Sequence, residues 1–271
     1  MRFPILAGLL ASSVAAAAPA YAQNSWTGFH VGGRVGLLDV SRGNEQIEFD
    51  TNLDGSFGDT VRTAAGANAF SPGFCTGAAV DRVPTAGCRR DKTKTDYAAS
   101  IGYDQQLGSV VVGIVGEYGS SSARDSVSAF STTPAFYTMT RRLKANGAIR
   151  ARAGLAIGDT LPYVTAGIAQ GRIRHSFATS NTANTFVQRG DDRNVTGFRY
   201  GAGLEQRFGN FAIGALYLGT RYDDSDYRVR SQGPAPATNP FILVNPNGTD
   251  FRRSDDKFTV HSFNLTLSYR L

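Results

Sequence analysis

Charge is scarce in this chain. Asp, Glu, Lys and Arg make up 18% of its 271 residues, against 41% that are apolar, which is lean for the surface of a soluble enzyme. Cysteine is scarcer still, with two residues, and there are three histidines. A disulfide-dense scaffold is excluded, and with no histidine near Cys75 or Cys88 a zinc site is disfavoured. Beyond residue 22 no stretch approaches the roughly 18 uninterrupted apolar residues of a membrane-spanning helix. Disorder is excluded by what remains: 17 Phe, 11 Tyr and 31 Gly supply a core and the turns to fold around it.

The first 22 residues read as a secretory signal. Arg2 supplies the basic start, Ile5 to Ala18 the apolar run, and Ala20-Tyr21-Ala22 before Gln23 the cleavage site, so that Ala22 and Gln23 flank the cut. Residues 23–271 then form one exported domain. In an oxidising compartment Cys75 and Cys88 suit a loop-closing disulfide.

The exported part alternates in period two, and no window carries a 3.6-residue amphipathic period. Eight strands are expected, near 26–38, 94–104, 109–120, 138–157, 162–175, 194–208, 211–222 and 257–271. Short turns at Gln105 to Gly108, Gly158 to Leu161 and Gly209-Asn210 carry the Gly, Asn and Asp of tight reversals. Between them lie four long loops, near 40–93, 121–137, 176–193 and 223–256. Because long and short connections alternate, all long loops fall at one end of the sheet. That is the layout of an all-β, eight-stranded antiparallel transmembrane barrel with short periplasmic turns and long extracellular loops.

In the last strand Phe263, Leu265, Leu267, Tyr269 and Leu271 alternate with Ser262, Asn264, Thr266, Ser268 and Arg270. One face is wholly apolar and the other wholly polar, as lipid outside and a polar lumen require. The sixth strand repeats this, with Phe198, Tyr200, Ala202, Leu204 and Phe208 against Arg199, Glu205 and Arg207. The fourth sets Leu143, Ala145, Ile149, Ala151, Ala153 and Leu155 against Arg142, Lys144, Asn146, Arg150 and Arg152. The seventh breaks the rule, with Ile213 and Tyr217 on one face and Leu216 and Leu218 on the other. Basic residues concentrate in the strands, and since they alternate with lipid-type residues, nucleic acid is excluded as a partner.

Several segments resemble a known family. Trp26-Thr27-Gly28-Phe29-His30-Val31-Gly32-Gly33 is similar to the opening strand of porin-like outer-membrane proteins of the RopB and immunogenic surface-protein type, relatives of the OmpA transmembrane barrel. Ser100 to Gln105, Val112 to Tyr118, Ile149 to Gly154, Pro162 to Ala169 and Gly201 to Glu205 resemble later motifs of the same family. The likeness covers the strands and leaves out the loops. His30 stands where Tyr is usual, Leu216 where Glu is frequent, and Leu271 where a terminal Phe is read by the barrel assembly machinery. The resemblance implies a Gram-negative outer membrane, with outer-membrane lipids, lipopolysaccharide and that machinery as partners. As a further departure, the chain is expected to stop at its eighth strand, without the peptidoglycan-binding domain that many OmpA relatives carry.

The candidate site is a lumenal charge network of Arg34, Glu117, Arg150, Arg152, Glu205 and Arg207. Eight strands enclose a lumen only wide enough for side chains, so these charges pair as a plug or line a narrow anion-favouring path. A structural and surface role with weak porin activity is the expectation. The alternative is a surface adhesin or a binder of a host or extracellular ligand such as haem. It would act through the first loop, which carries Phe49, Phe57, Phe70 and Phe74. A lipid-modifying enzyme would need His175 with Ser176 or His261 with Ser262, but neighbours on a strand point to opposite faces. Neither catalysis nor a cofactor is expected.

Overall fold

The computed structural model describes residues 25–41 and 43–271. The signal segment, with Ala22 and Gln23, lies outside them. Eight long strands form the barrel: β1 (Gly28–Val40), β2 (Lys94–Leu107), β3 (Val110–Ser121), β4 (Ala135–Leu155), β5 (Thr160–Thr179), β6 (Asp192–Phe208), β7 (Phe211–Asp223) and β8 (Lys257–Arg270). Each pairs antiparallel with its neighbour in sequence, β1 pairs with β8, and so the sheet closes on itself. No helix among the described residues is long and apolar enough to cross a membrane; these strands cross it, since closure leaves no backbone edge unpaired. The three tight turns each place a glycine in the left-handed region, Gly108, Gly158 and Gly209, at φ of 61 to 64°, where a β-carbon would be strained.

The outer wall is apolar over a band that would be untenable in water. Ile168, Leu265 and Phe263 are 67 to 70% exposed, and every barrel strand contributes large apolar side chains to the same surface. Aromatic rings edge the band: Tyr97, Tyr118, Phe198, Tyr200, Tyr217 and Phe263 towards the long loops, Phe29, Tyr103, Phe208, Phe211 and Tyr269 towards the short turns. Two such girdles mark the two interfaces of an outer membrane.

Two departures from simple alternation have physical causes. On β7 both Leu216 and Leu218 are buried while Phe211 and Ile213 face out, so this strand gives the lumen an apolar wall. On β4 the alternation slips. Arg172 of β5 opposes Ala145, yet Ile173 opposes Leu143, so Lys144 is an extra residue and the bulge turns the side chains beyond it over. Below it Asn146, Arg150 and Arg152 point inward; above it Leu143 and Arg141 are fully buried and Arg142 faces out. The expected lumenal placement of Arg142 and Lys144, and the lipid-facing placement of Leu143, are corrected accordingly.

The long connections are not open loops. Ile47–Asp50, Thr185–Arg189, Arg228–Gln232 and Thr249–Arg253 form a separate four-stranded antiparallel sheet. Arg124–Ser131 and Gly73–Thr76 extend the barrel sheet beyond β4. Apolar side chains of both sheets, among them Ile47, Phe49, Val127, Tyr137, Met139, Val229 and Phe251, close into one core together with Phe70 and Phe241 from the turns between strands. Edge-to-face rings fill it, Phe49 with Phe251 at 5.0 Å and Tyr137 with Phe241 at 5.6 Å. The result is a folded cap over the barrel mouth.

Candidate functional site

The lumen is filled in layers. Its floor is Trp26, fully buried, whose backbone carbonyl accepts from Arg270 at 2.5 Å and whose ring lies 4.6 Å below that guanidinium. Leu161, Tyr163, Leu216 and Leu218 pack around this floor and up one wall.

The first ionic layer lies above it. Asp104 is completely buried and takes the Arg152 guanidinium on both oxygens and that of Arg270 at 2.5 Å. Arg152 also donates to Glu205 at 2.8 Å, and His30 stands 3.5 Å from Asp104. Gly113 makes the room: a β-carbon there would lie 2.1 Å from an Asp104 oxygen.

The second layer centres on Glu117. Arg34 and Arg150 donate to its Oε2 at 3.2 and 3.0 Å, and Arg199 donates to Oε1. Arg34 also holds Asp96 and, at 2.9 Å, Asn264. Thr165 accepts from Arg150 at 2.9 Å, leaving Arg150 Nε without a partner, and Thr220, Asn146 and Tyr222 accept from Arg199 at 2.8 to 3.0 Å. Unpaired charges at this depth would cost several kcal/mol each, and the dense pairing offsets that cost.

Above the charges the lumen turns apolar again, with Leu38, Leu143, Ile173, Val195, Phe258 and Val260 in one cluster. A third ionic layer then seals the junction with the cap. Arg141, fully buried, reaches Asp125 at 2.9 Å, Glu45 at 3.1 Å and Asp255 at 3.2 Å, and sits 4.7 Å over the Phe258 ring. Arg253 bonds to Asp125 at 2.5 Å and to Glu45. With Asp224 also near Arg141, four carboxylates face two guanidiniums. Burial, opposed by Arg141 and aided by neighbouring Asp91 and Asp255, pushes Asp125 up to about 6.

The structure places Arg34, Glu117, Arg150, Arg152 and Glu205 inside the barrel, divided over two layers. Arg207 is not among them. It lies half-buried at the turn end, donating to the carbonyls of Gly209 and Ser25 at 2.7 and 2.5 Å. The expected network left out Arg199, Arg270, Asn146 and Asn264, although the sequence places them on polar strand faces, and also Asp96 and Asp104; all six are buried on inward-facing positions. Their strand parity was a usable signal; the height at which each meets a partner was not.

Cys75 and Cys88 are joined, with Cα atoms 6.1 Å apart. The first-loop aromatics do not present a binding surface: Phe49 and Phe70 are 4% exposed in the cap core, and Phe74 packs against it. Phe57 lies beneath Arg228 and Arg252, at 5.0 and 4.2 Å. His175 turns inward to Asp224 at 3.0 Å and stacks on Tyr227, whereas its neighbour Ser176 faces out. His261 bonds the Tyr217 hydroxyl at 2.8 Å on the outer wall.

Residues 7–270 match the family model of the outer membrane protein beta-barrel domain. The 25 kDa outer-membrane immunogenic protein of Brucella canis is 28% identical over 149 residues, which is 51% of this chain and 62% of that protein's length. Among solved structures, the outer membrane protein OprG of Pseudomonas aeruginosa aligns over 90% of this chain and 97% of its own, at a TM-score of 0.46 and 10% identity. Ail, the attachment invasion locus protein of Yersinia pestis, aligns over 90% and 99% at 0.34 and 14%. By its strands, its lipid-facing band and its match over nearly the whole length, the chain belongs to the family of outer-membrane β-barrel proteins.

Proposed function

We propose that this protein is a closed, non-catalytic structural and surface component of the outer membrane rather than a porin. The observation that carries this reading is the sequence of barriers along the axis: Trp26, two ionic layers, an apolar layer, a third ionic layer and the aromatic cap. An anion-favouring path would need arginines with free donors along a continuous wet route. Here Arg152 and Arg199 spend every nitrogen on carboxylates, hydroxyls or an amide, and Arg34, Arg150 and Arg270 each keep one nitrogen without a partner that is buried away from any wet route. What the cap offers outward is its rim, where Val80, Val83, Leu243 and Val244 are 38 to 57% exposed. That rim supports a surface-contact role on a rigid scaffold.

The test is chemical access. Thr165 is 4% exposed beside Arg150. A Thr165→Cys variant folded in lipid vesicles is expected to resist a small charged thiol reagent until the protein is unfolded. Labelling of the folded barrel as fast as of a surface cysteine would reject the closed lumen.

A further inference from the structure

Where the cap meets the barrel, two buried side chains are tightly fixed and each leaves one polar atom without a partner. His175 of β5 donates from Nε2 to Asp224 at 3.0 Å, and its ring stacks on Tyr227 with centroids 4.4 Å apart. A carboxylate only accepts, so Nε2 carries the ring proton and Nδ1 of the neutral ring is left as a lone-pair acceptor. That nitrogen is buried and meets no donor among the described residues. Arg253 spends Nη1 on the carbonyls of Asp125 and Met139, at 3.3 and 3.1 Å, and Nη2 on the Glu45 and Asp125 carboxylates. Its Nε–H, equally buried, donates to nothing among the described residues. The two side chains are 1% and 5% exposed, and folded proteins satisfy nearly all polar atoms at such depth.

Both side chains line one cavity of about 280 Å³, enclosed by β5, the segment after β7 and the turn leading into β8. That volume lies at the small end of the roughly 300–1,000 Å³ typical of ligand sites. Asp224 and Tyr227 complete its buried floor, and Ser225, Ser254 and Asp256, all exposed, edge its mouth on the long-loop side of the membrane. Its charges are already matched. Arg252 at the side is held by Glu48 at 2.9 Å, Arg253 by Glu45 and Asp125, and Asp224 by His175 and Arg141, while Asp256 lies 3.7 Å from Lys257. An anion would meet Asp224 and Asp256, and a cation would meet Arg252 and Arg253, so the fitting occupant is neutral. It must donate to Nδ1 and accept from Nε–H, and a hydroxyl does both. Ser254 adds to the match, because its Oγ accepts the Gln46 amide at 2.9 Å and keeps its own O–H to give.

We infer that this pocket at the seam of cap and barrel binds a small neutral polyhydroxylated molecule of monosaccharide size, one hydroxyl donating to His175 Nδ1 and another accepting from Arg253 Nε. The inference goes beyond the structural and surface role proposed above and is independent of whether the lumen conducts.

The probes are D-glucose, D-galactose and D-mannose, each titrated into the full chain folded in detergent micelles with nitrogen-15-labelled histidine. The chain has three histidines, and a long-range nitrogen–proton spectrum reads each ring nitrogen separately. At least one hexose is expected to move the His175 Nδ1 resonance upfield and saturably, as an acceptor nitrogen does on taking a hydrogen bond, while the His261 resonances on the outer wall stay in place. His175→Phe keeps the stack on Tyr227 and removes the acceptor. Calorimetry should then show affinity weakened by about 10-fold or more, in a barrel whose heat-modifiable gel migration is unchanged. Should that variant fail to fold, Ser254→Ala at the exposed mouth replaces it, with an expected loss of about 3-fold. No saturable shift with any of the three sugars would overturn the assignment and leave the pocket a hydration site. An equal shift with inorganic phosphate, which would mark an anion site, or unchanged affinity in the folded variant would overturn it as well.

Discussion

Replacing Glu117 by Gln removes one charge and almost no volume from the most connected carboxylate in the lumen. Three guanidiniums converge on it, with Arg34 and Arg150 at 3.2 and 3.0 Å and Arg199 on the other oxygen. After the change Asp96 is the one carboxylate left in that layer, and the new amide turns donors towards Arg groups that have none to receive them. Removing one partner of a buried ionic cluster costs about 3–5 kcal/mol, a large share of the roughly 5–15 kcal/mol that holds a domain folded. The assay is equilibrium urea unfolding in phosphatidylcholine vesicles, followed through Trp26, the single tryptophan of the chain. A compensating Arg199→Met should restore part of the loss, because it removes a charge that Glu117→Gln strands. A loss below about 1 kcal/mol for Glu117→Gln would mean that water solvates these groups, and the plugged lumen would be refuted.

Other outcomes follow from the same geometry. Arg207→Ala should change the urea midpoint little, by about 1 kcal/mol at most, because its bonds are to carbonyls at a wet rim; a loss equal to that of Arg150→Ala would contradict the layer assignment. Gly113→Val should displace the Asp104 carboxylate and cost about 1–3 kcal/mol or more, read in the same titration. Phe251→Ala, fully buried in the cap, should cost about 3–5 kcal/mol locally and expose the cap to protease while the barrel keeps its heat-modifiable migration. Because the folded pKa of Asp125 lies near 6 and the ordinary value is 3.8, the folded cap binds a proton that the unfolded chain releases between those values. Its contribution to stability is therefore present at low pH and lost as pH rises through 6. The urea midpoint of wild type should gain, relative to Asp125→Asn, as pH falls from 7 to 5; parallel profiles would dismiss that titration.

The barrel was legible because lipid outside and polar groups inside write themselves as period two. The last strand, from Phe263 to Leu271, needs no further information to be placed and faced. Parity was insufficient where one extra residue intervenes: nothing local to Lys144 announces a bulge, and its effect appears only in the pairing with Arg172 and Ile173. Parity also assigns a face without a height. Glu117 and Arg199 are 82 residues apart, and Arg270 and Asp104 are 166 apart, so their meeting depends on the register of the whole closed sheet. The Leu216 and Leu218 anomaly on β7 was visible in the sequence and is explained by an apolar lumenal wall. The cap escaped notice because its strands, such as Ile47–Asp50 and Thr249–Arg253, have only four or five residues, too few to establish a period. Their partners lie in different long connections, so Phe49 reads as a loop aromatic until Phe251 is placed across from it.

The most direct test of the closed lumen is single-channel conductance of the folded full chain in a planar bilayer, with selectivity read from the reversal potential in a salt gradient. Barrels shown to be inserted should pass no discrete current steps, and Glu117→Gln should be the variant in which steps first emerge. Reproducible anion-selective steps from the wild-type protein would contradict the account and make the arginine layers a conducting filter.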